Sequence, residues 1–79
     1  MSPDIALELD CRGRACPMPV IELAQHLGDV EVGEVIAVVT DDAAARHDVP
    51  AWCRMREQEY AGENTADDGV PRYLVRRLS

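Results

Sequence analysis

The sequence contains no lysine and no phenylalanine, and its aromatic side chains are one tryptophan and two tyrosines. All eight basic residues are therefore arginines. Without lysine the chain cannot form a Schiff base on a side chain, and it lacks the lysine of a phosphate-binding loop. With 79 residues, 47% of them hydrophobic, the chain is long enough for a single domain, residues 1–79, with a thin core.

Long hydrophobic runs are also missing. No run approaches the roughly 20 apolar residues of a membrane-spanning helix, and the N-terminal segment MSPDIALELD lacks the basic and then apolar stretches of a signal peptide. We therefore expect a cytoplasmic protein. Three cysteines make an odd number without a secreted framework, so we expect reduced thiols.

The net charge of −7 is unevenly distributed. A domain this acidic repels phosphates over most of its surface, so we expect no direct binding to nucleic acid, whereas a basic protein partner would fit. The C-terminal end is the exception, because Arg72, Arg76 and Arg77 follow one another there without an acid. We expect them to form a solvated basic strip on an edge or terminal strand; the alternative is that they steer an acidic partner or a small anion such as thiosulfate.

The hydrophobic pattern predicts the element order β-α-β-α-β-β. Ile5, Leu7 and Leu9 alternate with polar or small residues, which indicates a first strand with one buried face. A helical pattern runs from Pro17 to Gly28, and the apolar run 35–40 is typical of a central second strand.

The second half of the chain is less regular. The pair Asp41-Asp42 favours a helix cap, and Pro50 is expected to interrupt the second helix or to start a new one that reaches about Ala61. A weak strand over 63–67, a hairpin turn at Asp68-Gly69 and a last strand over 70–78 complete the order.

This order predicts an α/β (α+β) two-layer sandwich. The first two strands should be parallel with a right-handed crossover, the final hairpin should add an antiparallel pair, and two helices should cover one face of the mixed four-stranded sheet. One apolar side of the second strand then lies on the uncovered face, where it would suggest a partner or a dimer.

The most informative segment is Gly13-Arg14-Ala15-Cys16-Pro17-Met18-Pro19. Pro17 favours the first position of a helix, which places Cys16 at or beside the N-cap. The unpaired backbone N–H groups and the positive helix end would favour the thiolate of Cys16, and Arg12 and Arg14 would add positive potential. Such a cysteine is suited to nucleophilic chemistry.

This segment, with the aspartate before it, resembles the signature of the TusA/SirA-like family of small sulfur-carrier proteins, roughly D-x-x-G-x-x-C-P-x-P. The matching residues are Asp10, Gly13, Cys16, Pro17 and Pro19. The resemblance extends over essentially the whole chain. It implies that Cys16 accepts sulfane sulfur as a persulfide and passes it on, and that Pro17, Pro19 and the Asp10–Gly13 loop shape the site.

The resemblance also implies the partners. Donors would be cysteine desulfurases or rhodanese-like proteins, and acceptors would belong to tRNA thiolation, molybdenum-cofactor maturation or sulfur metabolism. The protein would act as a sulfurtransferase or stoichiometric carrier, and it would need no metal and no organic cofactor. From the uncovered apolar face of the sheet we expect a monomer or weak dimer.

Other interpretations of the same residues remain open. The domain could be a non-catalytic regulatory or adaptor domain, or a redox sensor that forms a disulfide between Cys11 and Cys16. A zinc site would have to combine the three cysteines with His26 or His47, without any Cys-x-x-Cys pair.

Three further residues have structural explanations. Cys11 and Cys53 are expected to be small buried apolar side chains. Asp10 either caps a turn or acts as an oriented acceptor that supports the Cys16 loop, and we favour the cap.

Overall fold

The computed structural model describes residues 4–13 and 18–79. Its elements are strand β1 (Ile5–Asp10), helix α1 (Met18–His26) with a following 3₁₀ turn (Leu27–Asp29), strand β2 (Val35–Val39), helix α2 (Ala45–Arg56), and strands β3 (Glu59–Thr65) and β4 (Pro71–Arg76). The expected order β-α-β-α-β-β is confirmed.

The four strands form one mixed sheet in the order β1-β2-β4-β3. Strands β1 and β2 are parallel, while β4 is antiparallel to both β2 and β3. Every residue of β2 is buried, as the continuous apolar run predicts for a strand with a neighbour on each side. Two helices and a four-stranded sheet confirm the two-layer α+β architecture.

The main core lies between the sheet and the two helices, on what we call the helix face. Its buried members are Leu9, Cys11, Leu23, Ile36, Val38, Ala45, Val49, Trp52, Cys53, Tyr73 and Val75. A second, smaller cluster of Val35, Ala37 and Leu74 lies on the other side of the sheet, the open face. Because neighbours along a strand point to opposite sides, Val35 and Ile36 separate into the two clusters.

Strand β1 contains an irregularity that the sequence pattern did not predict. Ile5 pairs with Val35 and Leu7 pairs with Ile36, so two steps along β1 correspond to one step along β2. This β-bulge moves Ile5 to the open-face cluster, while Leu7 packs against the helix-face core. The expectation that Ile5 and Leu7 share one buried face was therefore wrong.

Helix α2 is continuous, contrary to the expected interruption at Pro50. Pro50 has no N–H to donate to the carbonyl of Arg46 four residues earlier, and the helix continues through Pro50 without this hydrogen bond. The helix ends at Arg56, because Glu57 adopts a left-handed conformation with φ of 58°. Tyr60 therefore belongs to β3, and the predicted extension of the helix to about Ala61 was wrong.

The hairpin at Asp68-Gly69 is present and joins β3 to β4. The Ala66 N–H donates to the Val70 carbonyl at 2.9 Å, and Gly69 has a positive φ of 86° that favours glycine. Strand β3 begins earlier than predicted, at Glu59 rather than residue 63. Within the described ranges, no helix has both the length and the apolar character needed to span a bilayer.

Candidate functional site

Three loops meet at the edge of the sheet where the parallel strands β1 and β2 end, which we call the carboxyl edge. They are residues 11–13 after β1, residues 40–44 after β2, and the β3–β4 turn over residues 66–70. The Cys11 N–H donates to the Val39 carbonyl at 2.8 Å, and the Thr40 N–H donates to the Pro71 carbonyl at 3.2 Å. These backbone contacts connect the three loops to the ends of the strands.

Arg12 lies between two carboxylates at this edge. Its Nε donates to Asp68 Oδ2 at 2.8 Å and its Nη2 donates to Asp68 Oδ1 at 3.2 Å, while its Nη1 is 3.0 Å from Asp10 Oδ1. These contacts raise the pKa of Arg12 and lower the pKa of Asp68, with the Arg12–Asp68 hydrogen bond as the largest cause of each shift. The guanidinium charge is shared with two acids, which reduces the positive potential it can exert elsewhere.

Asp10 caps the turn that follows β1. Its Oδ1 accepts the backbone N–H of Arg12 at 3.1 Å, two residues further along. That backbone hydrogen bond is the main reason that the pKa of Asp10 is lowered. The geometry is that of the turn cap, the role that we favoured for Asp10 from the sequence.

Gly13 shows why glycine is needed in this loop. Its φ of 75° lies in the left-handed region, and its N–H donates to Asp41 Oδ1 at 3.2 Å. The side chain of Asp41 therefore contacts the loop between β1 and α1. The sequence pattern had instead predicted that it would cap α2. Asp42 lies in the turn before α2, where its Oδ1 accepts the Ala44 N–H at 3.0 Å; the N-cap of α2 is Ala44, and it has no side-chain capping hydrogen bond.

Several predicted site residues lie outside the described part of the chain. Arg14, Cys16 and Pro17 fall between Gly13, where the first described segment ends, and Met18, where the description resumes. Pro19 is the second residue of α1, and its side chain lies outside the description. The roles predicted for these residues, including the N-cap position of Cys16, remain predictions.

The other two cysteines are buried on the helix face. Cys11 and Cys53 are each 1% exposed. Desolvation raises the pKa of the Cys53 thiol from 9.0 to about 11, so that thiol stays protonated near neutral pH. Their burial confirms the structural interpretation of both residues as small apolar side chains.

The zinc interpretation needs His26 or His47 to lie near the cysteines. His26 Nδ1 is 2.7 Å from Asp29 Oδ2 and its Nε2 is 3.4 Å from Glu22 Oε2, while His47 is exposed on α2. Among residues 4–13 and 18–79, no group of three or more histidines, cysteines and acids could hold a metal ion.

The basic strip predicted at the C-terminus has a different environment from the expected one. Strand β4 is an inner strand, and its arginines are paired: Arg72 Nε is 3.1 Å from Glu8 Oε1, and Arg76 Nε is 2.9 Å from Glu59 Oε2. Arg77 Nη1 donates to the Val30 carbonyl at 2.6 Å. The strip was expected on an edge or terminal strand: β4 is the last strand of the chain, but it lies inside the sheet, and the expectation that its arginines are simply solvated was wrong.

The same arginines change the interpretation of the open face. Val35, Ala37 and Val39 are at most 2% exposed, although α1 and α2 both pack on the opposite face of the sheet. Arg76 pairs across the strands with Val35, and Arg72 pairs with Val39, so both arginines emerge on the open face beside these residues. The apolar surface expected there as evidence for a partner is already buried within one chain.

The fold and this site define a small α+β protein in which three connected loops meet at the carboxyl edge of the sheet. A solved SirA-like protein from Desulfitobacterium hafniense has this fold: the TM-score is 0.76, and the match covers 92% of this chain and 99% of that one. At 23% sequence identity the likeness establishes the fold alone.

Sequence comparison identifies the family. Residues 7–77 match the family described as "Sulfurtransferase TusA". A protein of Archaeoglobus fulgidus named "Putative sulfur carrier protein" is 36% identical over 69 residues, which cover 87% of this chain and 90% of that one. The chain belongs to the TusA family, and this membership supports a role as a sulfur carrier that interacts with sulfur donor and acceptor proteins.

Proposed function

We propose that this protein accepts sulfane sulfur as a persulfide on Cys16 and passes that sulfur to an acceptor protein. The observation that carries the proposal is the family match over residues 7–77, which includes the whole Cys16 motif. The burial of Cys11 and Cys53 supports the choice of Cys16, because neither buried thiol is accessible to a donor protein.

The transfer is a thiol exchange at sulfur. The Cys16 thiolate attacks the outer sulfur of a donor persulfide, a new S–S bond forms at Cys16, and the donor S–S bond breaks with its electron pair leaving on the donor thiolate. An acceptor thiolate then attacks the outer sulfur of Cys16-S-SH in the same way and releases the Cys16 thiolate. Atoms and electrons balance in each step without a further oxidant or reductant.

The surrounding residues have supporting roles in this proposal. Asp10 and Gly13 hold the turn that leads to Cys16, and their contacts with Arg12 and Asp41 support that assignment. Pro17 and Pro19 would restrict the backbone after Cys16, and Arg14 would favour its anionic form. Arg12 was assigned the same electrostatic role, but its pairing with two acids favours a structural one.

We propose a cysteine desulfurase or a rhodanese-like protein as the donor. The acceptor would belong to tRNA thiolation, molybdenum-cofactor maturation or sulfur metabolism. The net charge of −7 argues that contact with nucleic acid, if the pathway involves it, is made by the partner and not by this chain.

Intact-mass spectrometry tests the site. After incubation with a desulfurase and cysteine, the wild-type chain should gain about 32 Da, the mass of one sulfur atom, and a thiol reductant should reverse the gain. Cys16→Ala should abolish it. Cys53→Ala is the matched control and should retain it, because that thiol is buried. If Cys53→Ala loses the gain and Cys16→Ala keeps it, the assigned site is wrong.

A further inference from the structure

Two consecutive residues before the Cys16 segment are tied to two different loops. Arg12 is bound through its guanidinium to Asp68 of the β3–β4 turn, 56 residues away in sequence. Gly13 is bound through its backbone N–H to Asp41 of the β2–α2 loop. Residues 12 and 13 are therefore held by two different loops just before the chain continues towards Cys16.

Asp68 belongs to a turn with its own internal hydrogen bonds. Its Oδ1 accepts the Val70 N–H at 3.3 Å, and the Gly69 N–H donates to the Ala66 carbonyl at 2.9 Å. The Ala66 N–H in turn donates to the Val70 carbonyl. Asp68 is thus held by the turn on one side while it binds Arg12 on the other.

The Arg12–Asp68 pair is too exposed to matter much for overall stability. The side chains are 34% and 49% exposed, and ion pairs in water contribute little to the free energy of unfolding. A two-pronged arginine–carboxylate contact does, however, fix the orientation of both groups. Its effect should therefore be on the position of residues 11–13.

We propose that Asp68 is a positioning residue for sulfur transfer, which acts through Arg12 to hold the loop that leads to Cys16. This inference rests on the proposed function and adds to it a residue far from the Cys16 motif in sequence. Asp68 does not itself contact the reacting sulfur in this proposal; it acts by fixing residues 11–13, from which the chain continues to Cys16.

An electrostatic role for Asp68 would have the opposite sign. If Asp68 mattered only by neutralising Arg12, its removal would release positive potential near the loop, favour the Cys16 thiolate and speed sulfur loading. A positioning role predicts slower loading after the same substitution. The direction of the rate change therefore separates the two roles.

The experiment compares three variants of the full chain. Loading of Cys16 from glutathione persulfide at pH 7 is followed by peptide-resolved mass spectrometry in Asp68→Asn, Asp68→Glu and Asp67→Asn. Asp67 is the matched control, an exposed acid in the same turn that is one residue away. We expect loading to slow about tenfold in Asp68→Asn, to recover to within about threefold of wild type in Asp68→Glu, and to stay within about twofold in Asp67→Asn.

A second measurement separates positioning from unfolding. Cys53 is buried, so its alkylation by iodoacetamide reports opening of the core. In Asp68→Asn, slow loading with Cys53 still protected supports the proposal. Slow loading that follows a matching rise in Cys53 alkylation overturns it, because the effect would then be on stability.

The outcomes also separate this inference from the proposed function. If the wild-type chain loads sulfur and Asp68→Asn loads it equally fast or faster, the positioning role alone is refuted. If the wild-type chain does not load sulfur at all, the proposed function is refuted and the positioning role with it.

Discussion

Both faces of the sheet bury apolar strand residues, but different side chains pack against them. On the helix face, Ile36 and Val38 pack against residues of α1 and α2 such as Leu23 and Trp52. On the open face, Ile5 and Ala61 pack against the buried strand residues, and long arginine side chains that pair with acids lie beside them. Arginine stems can cover apolar surface while their charged ends remain at the surface. A strand can therefore be apolar on both sides in a protein with only one layer of helices.

This difference bears on where partners bind. An exposed apolar patch would have marked the open face as a docking surface, but its residues are already buried in the single chain. The proposed transfer at Cys16 would instead bring donor and acceptor proteins to the carboxyl edge, where Asp41 and Asp68 contact the loop that leads to Cys16.

The largest effect should come from the helix face. Ile36→Ala removes a fully buried side chain at the centre of the main core, and we expect it to lower the free energy of unfolding by about 2–5 kcal/mol in a denaturant titration. Ile21, which is 41% exposed on α1, provides the control: Ile21→Ala should stay within about 0.5 kcal/mol.

The corresponding change on the open face should cost less. Leu74→Ala should destabilise by about 2 kcal/mol, at the low end of that range, because the flexible stems of Arg72 and Arg76 can move into the vacated space. The same titration checks it. A larger loss for Leu74→Ala than for Ile36→Ala would contradict this difference between the helix face and the open face.

Two substitutions of Arg72 separate the contribution of its apolar stem from that of its charge. Its side chain is 20% exposed, and its Nε is buried close to Glu8 without an aligned hydrogen bond. We expect Arg72→Ala to cost about 1 kcal/mol through lost apolar cover, and Arg72→Met, which keeps an apolar stem, to be nearly neutral. Thermal unfolding of the two variants measures the difference. Equal losses would mean that the ion pair with Glu8 matters more than the stem.

The sequence was sufficient for the element order because that order depends on local signals. The continuous apolar run of β2 predicts an inner strand, and Asp68-Gly69 predicts the hairpin; both are confirmed. The positive φ of Gly13 fits the glycine of the family motif. In each case neighbouring residues decide the conformation.

The features that the sequence did not reveal depend on contacts between distant residues. Arg12 and Asp68 are 56 positions apart, and nothing in either segment indicates the other. The bulge in β1 depends on how that strand pairs with β2, and the arginines of β4 were misplaced because the position of that strand within the sheet was not known. The loop contacts of Asp41 were missed because two adjacent aspartates before a helix have a simpler local explanation as a cap.

The smallest expected effect is a loss of stability at high pH. It comes from Cys53, a buried residue of the helix face. Its folded-state pKa is raised to about 11 from an ordinary 9.0, so the folded protein keeps the neutral thiol while the unfolded chain ionises first. The contribution to stability is therefore complete below about pH 9 and is lost as the pH rises towards 11. At pH 9.5 we expect a loss of less than about 1 kcal/mol relative to pH 8, measured by denaturant titration at both values. Cys53→Ala removes the titrating group and should show a correspondingly smaller loss over the same interval; an equal loss in both proteins would mean that another group is responsible.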